Sequence, residues 1–202
     1  MASLPSEGLS RGDLRKRLRT QRNSLTPEAQ QDAAHMLAEQ LTKLPEWQRA
    51  NTVAAYLEND GEVGLQAVIN SANQADKILS LPVIHPFNRQ HLLFLRYHQN
   101  TVLTRNRFNI QEPVLRCPDV VPFSHHQLIL MPLVGFDADG NRLGMGGGFY
   151  DRVLAPYRHR KNRPLLIGTA HDCQHVDHLP IEPWDFPLDM VITPSQVFRP
   201  AR

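Results

Sequence analysis

The amino-acid sequence predicts an α/β fold with three layers, α/β/α, around a mostly parallel, Rossmann-like central sheet. Apolar runs of strand length alternate with amphipathic segments of helix length, an alternation typical of parallel sheets. A glycine-rich loop lies between a strand-like run and a helix-like segment, where such folds place their ligand sites. With 202 residues, the chain is long enough for one domain with a sizeable core.

Apolar spacing and capping residues predict the first two helices. Residues 10–22 carry Leu14 and Leu18 on one side and basic residues around the rest, which indicates a short basic helix. Thr26 and Pro27 supply an N-cap and a first-turn proline for a second helix. Residues 1–9 are rich in Ser, Pro and Gly and are expected to be disordered, which leaves residues 10–202 as a single domain.

The rest of the chain alternates as this fold class requires. Residues 53–57 are predicted to form a buried strand and residues 63–72 another helix. Further strands are predicted at residues 77–84, 92–97, 127–134, 165–170 and 190–193. Residues 98–122 should be mostly loop, and a helix should begin near Phe149 and end or bend at Pro156.

Composition and charge are ordinary for a soluble globular protein. The net charge of +2 and the hydrophobic content of 41% demand no nucleic-acid or membrane partner. Cys117 and Cys173 lack CxxC spacing, and the sequence contains no 18-residue apolar stretch and no signal-like segment. We therefore expect a cytoplasmic protein that acts as a monomer and binds neither nucleic acid nor membranes.

Residues 142–151 are the most informative stretch, because glycine occupies four of seven consecutive positions before Phe149, Tyr150 and Asp151. Glycines permit positive φ and a close approach of ligand to backbone, so the N–H groups can form an anion-binding nest. The loop is neither a P-loop nor a dinucleotide fingerprint, since it lacks the P-loop lysine and has Phe149 where the fingerprint needs glycine. Asp151 beside bound phosphates would repel them unless a divalent cation lay between, which indicates Mg²⁺. The alternative is a plain turn with Asp151 as a helix cap.

Several segments together resemble the signature of 5-formyltetrahydrofolate cyclo-ligases. In chain order they are Leu14 and Arg15, Tyr56 and Leu57, 61–63, Leu81 and Pro82, 110–113, 131–137, 140–152, Pro180, Asp185, Leu188 and Asp189, and 191–193. A signature of many parts in the right order is far more specific than one glycine motif. The resemblance implies that ATP and 5-formyltetrahydrofolate give ADP, phosphate and 5,10-methenyltetrahydrofolate in the presence of Mg²⁺. The formyl oxygen would first be phosphorylated, and the ring would then close.

The same resemblance implies roles for individual residues. ATP would contact Arg11 and Arg15, one helical turn apart, and the loop residues Arg142, Leu143, Gly144, Met145, Gly146, Gly147, Gly148, Phe149 and Tyr150. The folate would contact Leu57, Glu62 and the part of that loop from Met145 to Phe149. Arg142 and Asp151 would be catalytic, and Asp151 and Asp189 would bind Mg²⁺.

Some positions depart from the family pattern. Arg11 stands where many members have lysine, and Phe149 replaces a common tyrosine. Met145 and Gly147 stand where some members carry arginine and lysine, so backbone N–H groups, Mg²⁺, Arg142 and the basic helix must do more of the phosphate binding.

Other interpretations of the same residues stay open. Glu62 alone is typical of a surface turn, Leu57 of a core residue, and Asp189 of a strand cap or the partner of an arginine. A sugar-phosphate isomerase-like enzyme on a similar scaffold would also use a glycine loop, but the sequence shows no dedicated acid or base. An RNA-binding module would use the basic N-terminal helix.

Overall fold

The computed structural model describes residues 3–88, 90–160 and 162–201. Its α-helices are α1 (Arg11–Asn23), α2 (Pro27–Lys43), α3 (Pro45–Arg49), α4 (Gln66–Gln74) and α5 (Phe149–Leu154). Its strands are β1 (Thr52–Ala54), β2 (Ile78–Ile84), β3 (Leu92–Arg96), β4 (Leu103–Arg105), β5 (Gln111–Pro113), β6 (Leu128–Pro132), β7 (Gly135–Phe136), β8 (Arg142–Leu143), β9 (Leu165–Thr169), β10 (Met190–Ile192) and β11 (Val197–Phe198).

Seven strands form the central sheet, in the order β11-β10-β9-β6-β1-β2-β3. The five inner strands are parallel, and the edge strands β11 and β3 are antiparallel to their neighbours. The predicted α/β class with a mostly parallel sheet is therefore confirmed. From β1 the chain proceeds to β2 on one side and later returns to β6 on the other. This reversal creates a crevice at the carboxyl ends of β1 and β6, where ligands bind in such sheets.

Alternate strand residues face two hydrophobic layers. Leu37 and Leu41 of α2 pack on one face of the sheet, together with α4 and strand residues such as Val53. On the other face, Met131 packs with Leu154 of α5 and with apolar residues of β7 and the chain around Leu188. Because α5 has six residues, connecting segments cover much of this second face instead of long helices.

Helix α1 lies at the carboxyl edge of the sheet. Its N-cap is Ser10, whose hydroxyl accepts a hydrogen bond from the backbone N–H of Asp13. Leu14 and Leu18 are fully buried in a small cluster with Val176 and other residues from this edge. Burial of this apolar side leaves the arginines of the same helix to line the space above the crevice.

The described part of the N-terminal segment, residues 3–9, is ordered by contacts, whereas we expected disorder. The backbone N–H of Leu4 donates to the carbonyl of His175, and its own carbonyl accepts from Asp177, at 3.0 Å each. Ser6 is buried nearby. Contacts with the loop at residues 175–177 order this short segment. Composition alone does not reveal such contacts. Met1 and Ala2 lie outside the described residues, and the single domain over residues 10–202 stays a prediction.

Several short elements differ from the prediction. The β4–β5 hairpin occupies part of the stretch that we expected to be loop, and its strands have three residues each. Helix α4 begins at Gln66, three residues later than expected, and β1 ends at Ala54. None of the described helices is both long and apolar enough to cross a bilayer.

Candidate active site

A cavity of about 1400 Å³ opens at the carboxyl edge of the sheet. Its wall is formed by α1, the segment after β1, the hairpin tip between β4 and β5, the glycine loop with α5, and a turn at residues 182–185. Every predicted site residue lines this cavity except Leu143 and Asp189. Leu143 is buried in the apolar cluster beneath α1.

Arginines of α1 form one wall. The Arg15 Nε donates to the carbonyl of Gly144 at 2.8 Å, which ties the helix to the glycine loop. Arg11 forms an ion pair with Asp185 and donates to the carbonyl of Pro180 at 2.9 Å. The hydrogen bond that Arg11 donates to the Asp185 carboxylate raises the pKa of the Arg11 guanidinium. Both cations therefore face the space beside the glycine loop in fixed positions.

Arg142 and Asp151 form an ion pair at the centre of the wall. Arg142 comes from β8 and is only 8% exposed, and burial lowers the pKa of its guanidinium. Its Nε has no hydrogen-bond partner among the described residues. Asp151 lies in the first turn of α5. A buried guanidinium with unused donor capacity beside a cavity is suited to bind an anionic ligand.

The glycine loop exposes its backbone to the cavity. Gly146 and Gly148 have φ values of +92° and +62°, which side chains with a Cβ rarely adopt. Within the described chain, the N–H groups of residues 145–148 donate to no protein acceptor. The loop therefore offers several unused donors next to Arg15 and Arg142.

Asp189 does not lie at this site, which disagrees with its predicted role in binding Mg²⁺. It directly precedes β10 and accepts hydrogen bonds from the Arg163 guanidinium, at 2.6 and 2.8 Å, and from the backbone N–H of Leu166, at 2.8 Å. These contacts are at the amino ends of β9 and β10, on the edge opposite the cavity. The residue has the structural role of an arginine partner.

Asp185 is the carboxylate that the structure brings to the cavity instead. Burial would raise the pKa of its carboxyl, but hydrogen bonds from Arg11 and the backbone N–H of Glu182 hold it below its ordinary value. The charge of Arg142, which pairs with Asp151, also stabilises ionised Asp185. Asp151 and Asp185 thus present two hard oxygen donors on one wall, a donor set that fits Mg²⁺.

Leu57 and Glu62, from the segment after β1, also line the cavity. The Glu62 Oε2 accepts a hydrogen bond from the backbone N–H of Asn59 at 3.1 Å. Arg22, fully buried below, pairs with Asp60, and the hydrogen bond from Arg19 lowers the pKa of Asp60 to about 2. Burial raises the pKa of Glu62 to about 7, because the opposing Arg22 charge only partly offsets the loss of solvent.

Replacing Glu62 with glutamine should stabilise the protein in alkaline solution. Because the folded protein holds the Glu62 proton more tightly than the unfolded chain, the free energy of unfolding falls as pH rises from 4.5 to about 7. At pH 8, Glu62→Gln should raise that free energy by about 1–2 kcal/mol, and the gain should vanish near pH 4.5. Urea unfolding at both pH values measures the difference. Exposed Glu7→Gln is the control, and a less stable Glu62→Gln at pH 8 would contradict the expectation.

Two aromatic residues of the cavity rim, Phe108 and Trp184, were not predicted as site residues. Phe108 is at the β4–β5 hairpin tip, with its ring centroid 6.0 Å from that of Phe149 and nearly perpendicular to it. Phe108 is 51% exposed and Trp184 is 63% exposed. A large aromatic residue between turn-forming residues was the available signal for each.

Sequence and fold are both similar to proteins of one family. A model of the 5-formyltetrahydrofolate cyclo-ligase family matches residues 8–194. The 5-formyltetrahydrofolate cyclo-ligase of Escherichia coli K12 is 47% identical over 182 residues, covering 90% of this chain and 99% of that protein. The 5-formyltetrahydrofolate cyclo-ligase of Haemophilus influenzae is 41% identical over 178 residues, covering 88% of this chain and 94% of that protein. The NMR structure of Aquifex aeolicus 5,10-methenyltetrahydrofolate synthetase has a TM-score of 0.80 and 31% identity, covering 94% of this chain and 92% of that one.

Proposed function

The chain belongs to the 5-formyltetrahydrofolate cyclo-ligase family and is an enzyme of that activity, and from this premise we propose that ATP drives the ring closure in the cavity described above. The products would be 5,10-methenyltetrahydrofolate, ADP and phosphate. One observation carries the proposal: a single cavity is lined both by arginines with a glycine loop and by Leu57 with Glu62. Two reactants of different chemistry can therefore meet in it.

The reaction explains why a phosphate site must adjoin the folate site. A formamide carbonyl is a poor electrophile, so its oxygen first takes the γ-phosphoryl group of ATP. The neighbouring nitrogen at position 10 then attacks the formyl carbon, and the phosphate leaves as the ring closes. Phosphoryl transfer requires chiefly positioning and charge stabilisation, so cations and N–H donors around the phosphoryl group account for most of the catalysis.

Individual residues have distinct parts in this proposal. The free N–H groups of the glycine loop and the guanidinium groups of Arg11 and Arg15 would hold the phosphates. Buried Arg142 would neutralise charge on the phosphoryl group as it is transferred. Glu62 would accept hydrogen bonds from pterin N–H groups, and Leu57 would contact the ring. Phe149 borders both regions and would stack against the folate.

Asp151 and Asp185 would hold Mg²⁺ beside the phosphates, in place of the pair of Asp151 and Asp189 that we first expected. Mg²⁺ in such a site neutralises the charge on the phosphate oxygens. Each carboxylate is paired with an arginine, Asp151 with Arg142 and Asp185 with Arg11. Exchange of these pairs for Mg²⁺ would free both guanidinium groups to contact phosphate oxygens.

The contacts of α1 weaken the observation that motivated the RNA-binding alternative. Arg11, Arg19 and Arg22 of α1 are paired with carboxylates, and Arg15 donates to the glycine loop. Four arginines of the basic helix therefore have partners within the protein. The isomerase alternative could use Glu62, whose pKa burial raises to about 7, as its base, but the family match favours the cyclo-ligase. A cytoplasmic location and a monomeric state stay predictions.

The decisive experiment is to follow the ultraviolet absorbance of the methenyl product. Purified protein is mixed with 5-formyltetrahydrofolate and Mg²⁺, with ATP or without it. We expect the band to grow only when ATP is present. No growth in protein shown to be folded by circular dichroism would overturn the proposal, and growth without ATP would overturn the phosphorylation step.

Replacing Arg15 with alanine should raise the KM for ATP by about tenfold, because a charge-assisted contact to phosphate is lost. The KM for 5-formyltetrahydrofolate should change less than threefold. Lys16→Ala is the matched control, since Lys16 is the next cation on α1 but is exposed and does not line the main cavity. Steady-state kinetics with each substrate varied in turn measures both constants. A larger change in the KM for folate would assign Arg15 to the folate site.

A further inference from the structure

Trp184 leaves a large apolar surface in contact with solvent at the mouth of the cavity. Its side chain is 63% exposed, whereas Trp47, the other tryptophan, is 3% exposed in the core. Exposed apolar groups that line a binding cavity are typical of ligand contacts. The established family and the proposed roles above leave the indole ring of Trp184 without a function.

The backbone that carries Trp184 is fixed. The N–H of Glu182 donates to the Asp185 carboxylate, and the N–H of Asp185 donates to the Glu182 carbonyl, at 2.9 Å each. The Arg158 guanidinium donates to the carbonyls of Trp184 and Asp185, at 2.9 and 3.1 Å. Arg11 holds the Asp185 side chain from the other side. The indole is therefore presented from a rigid turn, which lowers the entropy cost of using it as a contact surface.

Trp184 lies on the phosphate side of the cavity. It directly precedes Asp185, which pairs with Arg11, and its carbonyl is bonded to Arg158, which follows α5. Ala155 is four residues after Asp151, so both lie on the side of α5 and its continuation that lines the cavity. Leu57 and Glu62, the residues proposed for the pterin, come from the segment after β1.

From this arrangement we propose that Trp184 stacks on the adenine base of ATP, an inference that rests on the proposed use of ATP. With the phosphates at the glycine loop and Asp151, the nucleoside would extend past Ala155 to the turn at residues 182–185. An indole ring offers a flat face to which any nucleobase can stack. Trp184 would thereby distinguish a nucleoside triphosphate from an inorganic polyphosphate, with little selectivity among bases.

The first test is kinetic. Trp184→Ala should raise the KM for ATP about five- to tenfold, the lower range for loss of one base-stacking contact. The KM for 5-formyltetrahydrofolate and the kcat should change less than twofold, and Trp184→Phe should retain an ATP KM within threefold of wild type. Ile181→Ala is the matched control, because Ile181 is exposed just before this turn but does not line the cavity. An unchanged KM for ATP, or a larger rise in the KM for folate, would overturn the inference.

The second test measures binding without turnover. Magnesium ADP should quench the tryptophan fluorescence of the wild-type protein, and magnesium tripolyphosphate, which has no base, should not. In Trp184→Phe only buried Trp47 is left, and the ADP-dependent change should disappear. Equal quenching by both ligands would overturn the stacking. ATP-independent product formation by the wild type would refute the proposed function itself, whereas normal ATP dependence with an unaltered Trp184→Ala variant would refute only the role of Trp184.

Discussion

The substitution Arg142→Met should lower kcat by about three orders of magnitude, the low end of the effect of an arginine on phosphoryl transfer. Arg142 is buried beside the glycine loop, pairs with Asp151, and has an Nε without a partner in the described part of the chain. Methionine fills much of the same volume but has no charge and no donor. We expect KM values to change much less than kcat, because the lost interaction would be strongest with the transferred phosphoryl group.

Stability must be measured with activity, since removal of one partner from a buried ion pair is itself destabilising. Arg163→Met is the matched control: it breaks the similarly buried pair with Asp189, which lies away from the cavity. Both variants should lose stability in thermal unfolding, and only Arg142→Met should lose turnover per folded molecule. Arg142→Lys should recover part of the rate, because it restores the charge without the planar fork. A kcat within threefold of wild type in folded Arg142→Met would exclude the catalytic role.

Long apolar runs made the sheet predictable. The runs that form β2, β6 and β9 are largely buried inner strands without competing helical spacing. The glycine loop comes after β6 in the chain, which places it at the carboxyl edge of the sheet. The β4–β5 hairpin was not predictable in the same way. Its three-residue strands are partly exposed and contain Arg105, Gln111 and Glu112, so they show no apolar pattern that distinguishes them from a loop.

The family resemblance predicted the cavity residues of α1, of the segment after β1 and of the glycine loop apart from buried Leu143, but it did not separate two neighbouring carboxylates. Asp185 and Asp189 are four residues apart, which in an extended chain spans about 13 Å. Between them, Phe186 and Leu188 are buried on the second face of the sheet. The chain thus crosses the sheet between the two carboxylates and separates them to opposite edges. The family resemblance implied a metal role for Asp189, and spacing along the sequence does not reveal the crossing that rules it out.

Asp185→Asn should therefore lower turnover at least a hundredfold at limiting Mg²⁺, whereas Asp189→Asn should leave turnover per folded molecule unchanged. Asparagine keeps the shape of the side chain and removes the charge that binds a hard cation. Loss of the Arg163 partner in Asp189→Asn should instead cost about 2 kcal/mol of unfolding free energy, since the pair is largely buried. The two variants thus separate a metal-binding carboxylate from a structural one.

Because Asp185 also pairs with Arg11, the experiment must separate a metal effect from release of that arginine. Titration of Mg²⁺ at saturating ATP does so. Loss of a metal ligand raises the Mg²⁺ concentration needed for half-maximal rate, whereas displacement of Arg11 raises the KM for ATP even at saturating Mg²⁺. The increase in melting temperature caused by magnesium ADP gives a readout independent of turnover, and it should shrink in Asp185→Asn and persist in Asp189→Asn. If Asp189→Asn alone raised the requirement for Mg²⁺, the placement of the metal beside Asp151 and Asp185 would be wrong.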